Sequence, residues 1–219
     1  MIPLATLAQH GPRPGMPLDL IAALALIALA PFVLVMTTSF VRIVVVLSLV
    51  RSAIGASSLP PNAVLTGLAL MLTFVVMSPT IDRISHDAVE PYAHGAISQP
   101  VMLERSFAPL RAFMLRQTHA ADIALFTRIG REHTASPAQA PPTVLVPAFV
   151  VGELRSAFAI GFALYLPFVA IDLAVASILM GLGMFMLSPP IVSLPCKLLL
   201  FVMVDGWALV CGGVVSSFR

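Results

Sequence analysis

Five charged side chains, Arg42, Glu153, Asp172, Lys197 and Asp205, fall within the apolar runs of a 219-residue chain. A charge inside a long apolar helix is costly and marks a functional position by default. The signs roughly balance, which predicts pairing within or between chains, because an unpaired buried charge is very unfavourable. Two chemistries fit such a set: ion pairs that hold helices together, and a polar pathway running between them. Helix-to-helix pairing is the favoured expectation. Glu153 with Lys197 is the first candidate pair, each near the base of one arm of an apolar C-terminal hairpin. Glu153 and Arg155, two residues apart, cannot face each other on a helix.

Other reactive residues point away from catalysis. The chain contains no GxSxG, P-loop, GxGxxG or HExxH pattern. His86, His94, His119 and His133 are irregularly spaced and read as ordinary surface or interface histidines. Cys196 and Cys211 fall on what reads as a single helix, too far apart for a bond, and are expected to pack as small hydrophobes. No metal-ligand spacing is present. The chain is therefore read as not an enzyme, with no cofactor and no metal.

The elements that must position these residues are apolar. Hydrophobic residues make up 59% of the chain and charged ones 10%, against roughly a quarter charged in soluble domains. A membrane-associated, all-α protein of kinked helical hairpins follows. The net charge of only +2 argues against a nucleic-acid partner, which needs a basic stripe. Nineteen prolines, several inside apolar runs, fit helices buried in an assembly, because broken helices at membrane depth need protein or water around them.

Four regions follow from composition. Residues 1–17 are a polar, Pro/Gly-rich flexible lead-in without the pattern of a secretory signal. Residues 18–81 hold N-terminal apolar helices, with a bend or contact surface at Thr37-Thr-Ser39 and Arg42. A turn follows at Gly55 to Pro61, and Asn62 is expected to cap a helix from Ala63 to about Met77. Residues 82–143 form a soluble, largely helical insert in which Phe107, Leu110, Met114, Ala121 and Leu125 share one face. Gly130 is its stop. Residues 144–219 form the hairpin, its final helix running from about Pro195 to Val215, with Trp207 suited to a membrane interface. No repeat suggests an inverted-repeat transporter.

The hairpin tip, Gly181 to Pro190, carries Met184, Phe185 and Met186. One reading is a buried turn with methionine as adaptable filler. The other is a ring of copies in which these side chains form an apolar constriction that gates by dewetting. Gly181 and Gly183 are expected to let the tip bend, and Pro189 and Pro190 to keep it from becoming helical.

A wider pattern resembles one family over nearly everything from Leu18 onward. Its marks are Met36-Thr-Thr-Ser-Phe-Val-Arg-Ile43, Arg51-Ser-Ala-Ile-Gly55, Pro60-Pro-Asn62 and Met77-Ser-Pro-Thr-Ile-Asp82. Phe113-Met-Leu-Arg-Gln-Thr118, Pro147-Ala-Phe149, Ile171-Asp-Leu173 and Val204-Asp-Gly-Trp207 continue it. These resemble the FliP/SctR family of type III export-gate proteins. The Phe-Met-Leu-Arg-Gln-Thr wording leans flagellar, whereas the lack of a leader pattern leans toward the virulence branch.

The resemblance implies a core channel subunit of the flagellar export gate in the bacterial inner membrane, within the flagellar basal body. The implied assembly is a homo-oligomeric helical ring, a pentamer, with FliQ-like and FliR-like subunits and an FlhB-like export-switch protein. Its helices would be largely lifted out of the bilayer, and unfolded rod, hook and filament subunits would pass through it. By the same resemblance Met184, Phe185 and Met186 match a channel gasket in which many members have only methionine, so Phe185 is a departure that stiffens the seal. Glu153 and Lys197 match an inter-subunit charge pair. The rival readings are a virulence export gate, a small-molecule channel or transporter, and a scaffold without a pore.

Overall fold

The computed structural model describes residues 24, 28, 29, 31–56, 59–132 and 136–218. The lead-in 1–17 and ten residues at the start of the first apolar run, 18–23, 25–27 and 30, lie outside them. The chain divides into two compact units, 1–35 and 36–219. Helix Pro31–Thr37 begins in the first unit, and the helical conformation is interrupted at Thr38 and Ser39, where the polar patch predicts a bend. Everything that follows concerns the second unit.

All regular elements among the described residues are helical. In order they are α1 (Phe40–Ile54), α2 (Asn62–Ile84), a π-turn (Ser85–Val89) and a short helix (Glu90–Ala93). Then come α3 (Gln99–Gln117), α4 (Ala120–Ile129), a 3₁₀ turn (Pro137–Gln139), α5 (Pro142–Gly181), α6 (Pro189–Met203) and α7 (Gly206–Ser216).

Proline ends fewer helices here than the sequence predicts. Pro79 lies inside α2, and helical structure continues to Ala93. Pro147 and Pro167 lie inside α5. Each proline removes a single helical donor. The remaining amides of an apolar helix still need partners, which continuing the helix supplies. Pro189 and Pro190 open α6 instead of blocking it, since a first-turn proline gives up an N–H that has no helical acceptor.

Asn62 is the first residue of α2 after Pro61, and its side chain accepts from Arg51 Nη1 at 2.5 Å rather than capping the helix. The predicted face of the insert also breaks. Met114 is buried, but Ala121 and Leu125 are exposed, and Ile123 points inward instead. Extended backbone at Thr118 and His119 separates α3 from α4, so one helical period cannot run across both. Gly130 does stop α4.

The 40-residue helix α5 is the spine. Near its start Val144, Leu145, Ala148 and Phe149 pack with Met77, Phe113, Met114 and Ile123. Further along, Ala157 and Phe168 pack with Ile43, Val46, Leu47 and Val50 of α1, and with Phe201 and Val210. Where α1 crosses α5, a Cβ on Gly161 would sit 2.3 Å from Leu49 Cδ1, so glycine is what lets the two backbones approach.

Among the described residues, two continuous helices are long and apolar enough to cross a membrane, Asn62–Ala93 and Pro142–Gly181. Two bent pairs pass the same test when each is taken together, one of them α6 with α7. At roughly 1.5 Å per residue α5 is about 60 Å long, about twice the ~30 Å hydrocarbon core of a bilayer.

Replacing Gly161 with Ala is expected to destabilise the protein by about 1–3 kcal/mol through overpacking, with Leu49→Ala in the same chain recovering part of it. Thermal unfolding in detergent, followed by circular dichroism, measures both.

Candidate functional site

Each predicted charge except Asp205 has an opposite charge in its own chain, and the pairs form along α5. Arg42 on α1 meets Glu153 on α5 with both ends of the guanidinium: Nε donates to Oε2 at 2.9 Å and Nη2 to Oε1 at 2.5 Å. The Glu153 side chain is fully buried and Arg42 nearly so. Arg42 Nη2 also donates to Gln117 Oε1, and Nη1 to the carbonyl and hydroxyl oxygens of Ser217. All five guanidinium protons therefore have an acceptor. The Phe218 ring lies 3.9 Å from the guanidinium carbon and stacks on Phe113. One arginine thus ties together α1, α3, α5 and the segment after α7.

The second pair lies further along α5. Lys197 Nζ donates to Asp172 Oδ2 at 2.6 Å, and Ser193 Oγ donates to Asp172 Oδ1 at 2.6 Å. Ser193 and Lys197 are four apart on α6 and so share a face. Lys197 also reaches the Ala53 carbonyl of α1. This pair is wetter, with the Asp172 side chain 39% exposed. A third pair, absent from the sequence reading, joins Arg155 on α5 to buried Asp122 on α4 through two bonds of 2.6 and 2.9 Å. Glu153 and Arg155 thus take partners from different helices, as their spacing requires.

The expected Glu153–Lys197 pair does not form within the chain: Glu153 is held by Arg42 and Lys197 by Asp172. Position along the sequence could not separate these options, because the choice depends on where α1 crosses α5. Gln117, Ser217 and Phe218, which complete the Arg42 hub, were also missed. A polar pair at i,i+4 on an apolar helix was the available signal for Ser193 with Lys197.

The hairpin tip has a defined shape. Met184 N donates to Leu179 O and Gly183 N to Met180 O, with Gly183 at φ +73°. These are the two crossed bonds of a Schellman stop, and glycine accepts the left-handed backbone without strain. Gly183 therefore fixes the end of α5, whereas Gly181 is its last helical residue. Beyond the stop, Phe185 is 80% and Met186 102% exposed, and Met184 is partly covered. A buried turn with methionine filler is excluded within the chain.

The predicted final helix is two helices bent by 65°. Asp205 occupies a left-handed conformation, φ +51°, at the break. A Cβ on Gly206 would lie 2.3 Å from the Phe201 ring, and Trp207 packs edge-on against that ring at 5.2 Å. Cys196 and Cys211 are free and lie on different helices, α6 and α7. His86 hydrogen bonds to Asp87 on the surface, and His133 lies outside the described residues. Among the described residues, His, Cys, Asp and Glu form no group that could hold a metal.

Apolar helices cross-tied by ion pairs, with no strand among the described residues, define a membrane-type all-α protein built on helical hairpins. Its sequence relationships are specific. The FliP family pattern matches residues 23–214, and the chain belongs to the FliP family. It is 52% identical over 189 residues to a flagellar biosynthetic protein FliP of Pectobacterium carotovorum, covering 86% of this chain and 73% of that one. The FliP of Caulobacter vibrioides is 48% identical over 92% of this chain and 76% of its own. That of Bacillus subtilis is 44% identical over 91% of this chain and 90% of its own.

Truncating one partner of the buried pair, in Glu153→Ala or Arg42→Ala, is expected to cost about 3–5 kcal/mol by stranding the other charge. The double apolar variant Arg42→Met with Glu153→Leu should cost less than either single. Asp172→Ala, at a wetter site, should be milder than Glu153→Ala. Unfolding midpoints of the detergent-purified variants rank them, and equal losses at Asp172 and Glu153 would contradict the role given to burial.

Proposed function

We propose that this chain is a core channel subunit of the flagellar type III export gate, and that it is not an enzyme. It sits in the bacterial inner membrane at the flagellar basal body and assembles as a ring, a pentamer, with FliQ-like and FliR-like subunits and an FlhB-like switch protein. Unfolded rod, hook and filament subunits pass through the ring. The observation that carries this reading is the tip loop: three large apolar side chains stand on a sharply defined turn, two of them with little or no cover from their own chain. Several copies around an axis would bring Phe185 and Met186 together as a deformable apolar constriction, which closes to water and ions by dewetting.

Two further features support it. A helix about twice the thickness of a hydrocarbon core cannot lie wholly in lipid, which fits subunits raised into an assembly. The ion pairs along α5 hold each subunit's helices in one arrangement, so that the tip is presented at a fixed height. Phe185 stiffens the seal relative to methionine, because a ring on two rotatable bonds adapts less than a thioether chain.

Deleting the chain from its host should abolish secretion of hook and filament proteins while their cytoplasmic pools persist; normal secretion would sink the proposal. In cells that retain the gate, Met184→Ala combined with Met186→Ala should leave assembly intact and raise the leak of ions through the resting complex. Unchanged permeability would remove the loop from the seal.

A further inference from the structure

Within α1, α5, α6 and the break before α7, seven side chains carry charge: Arg42, Arg51, Glu153, Arg155, Asp172, Lys197 and Asp205. Glu153, Asp172 and a buried aspartate of α4 neutralise three of the four cations. Two charges remain. Among the described residues Arg51 donates only to neutral oxygens, the Pro60 carbonyl at 3.3 Å and Asn62 Oδ1 at 2.5 Å. Asp205 has no hydrogen bond or ion pair from its side chain among the described residues. It is exposed and follows an exposed apolar stretch, in which Val202 and Met203 are more than 70% exposed and Val204 is half-exposed. A carboxylate left alone on an apolar surface is the position at which a second polypeptide gains most by bringing a cation.

The two residual charges lie at the same end of the fold. Arg51 holds Pro60, and Pro60 lines a cleft of about 520 Å³ with Trp207, two residues beyond Asp205. Gly55, Leu59 and Pro60 form one wall of this cleft, and Leu194, Phe201 and Trp207 the other. One copy therefore carries a cation and an anion that have no opposite charge among the described residues, one on α1 and the other at the break between α6 and α7. That is the arrangement a head-to-tail contact between identical copies requires, where two unlike patches of one chain meet around a closing rotation.

The geometry points to an ion pair between Asp205 of one copy and Arg51 of the next, with the apolar surface at the α6–α7 break docked on the α1–α2 turn of its neighbour. The inference rests on the multi-copy reading above and names its contact. The left-handed backbone at Asp205 marks the bend between α6 and α7, where its side chain is exposed, and Gly206 and Trp207 pack that bend against Phe201. Arg51 keeps its geometry through Asn62 while leaving its charge free to be neutralised.

The test uses two differently tagged full-length copies expressed together, with Cys196→Ser and Cys211→Ala in both. One carries Arg51→Cys and the other Asp205→Cys, and isolated membranes are oxidised. A disulfide-linked species carrying both tags is expected. Because Arg51 also steadies the α1–α2 turn, the same experiment is run with Asn62→Cys in place of Arg51→Cys. In the otherwise native chain, Asp205→Asn keeps a residue that tolerates the left-handed backbone and removes the charge. It should lower the fraction of chain in the detergent-extracted multi-copy complex about threefold or more, the scale of a good interhelical polar contact. A discrete complex with neither mixed cross-link, or an undiminished complex with Asp205→Asn, overturns this contact and leaves the channel reading standing. Normal secretion without the chain overturns the channel reading itself.

Discussion

The buried pair of Arg42 and Glu153 is the interaction on which the remaining architecture depends. Two charges withdrawn from solvent are tolerable only with near-ideal geometry and no idle donor or acceptor. Here the carboxylate is held by two parallel bonds, and the other guanidinium protons go to Gln117 and Ser217. The requirement to satisfy five donors brings four separate stretches of chain to one point. An apolar core alone would not impose this, because hydrophobic contact is non-directional and tolerates sliding of one helix over another. The pair gives the α1–α5 crossing a single register, and Gly161 lets that crossing be close.

From this point α5 works as a ruler. Its charges, Glu153, Arg155 and Asp172, each hold a different helix: α1, α4 and α6. The polar ties fall between two apolar clusters and beyond them. The end of the ruler is equally definite, because the crossed hydrogen bonds at Gly183 stop the helix within one turn. The exposed Phe185 and Met186 therefore stand at a fixed distance from the buried hub. A soft side-chain chemistry is mounted on a stiff support, an arrangement that suits the seal proposed for it.

The surface of α6 and α7 has a different character. The bend at Asp205 exposes Val202, Met203 and Leu209, and the cleft beside Trp207 is lined chiefly by apolar groups. A helix this apolar on its outer face belongs in lipid or against protein. FliP family membership, an exposed apolar tip and an unpaired acid on an apolar face all fit a chain whose surface is completed by other polypeptides.

Much was legible in the residues themselves. Composition and long unbroken apolar runs specified helices in an apolar setting, because such runs, in a chain with 10% charged residues, satisfy their backbone within each segment and lack the alternation of barrel strands. The family-specific motifs, the turn at Gly55, the stop at Gly130 and the Met-Phe-Met tip are local signals, and local sequence determines them. The partners of the charges are not local. Arg42 is 111 residues from Glu153, and nothing in either stretch distinguishes that pairing from Glu153 with Lys197. The continuation of α2 and α5 through their prolines and the break at Asp205 were likewise settled by packing. A lost hydrogen bond is small beside the apolar contacts of a long helix, whereas at the break the Phe201 ring fits closely only because residue 206 has no Cβ. The sequence by itself thus determined the kind of protein and the chemistry of its tip. Only the tertiary structure decided which charges neutralise one another, and that Arg51 and Asp205 remain, because that choice depends on where helices cross.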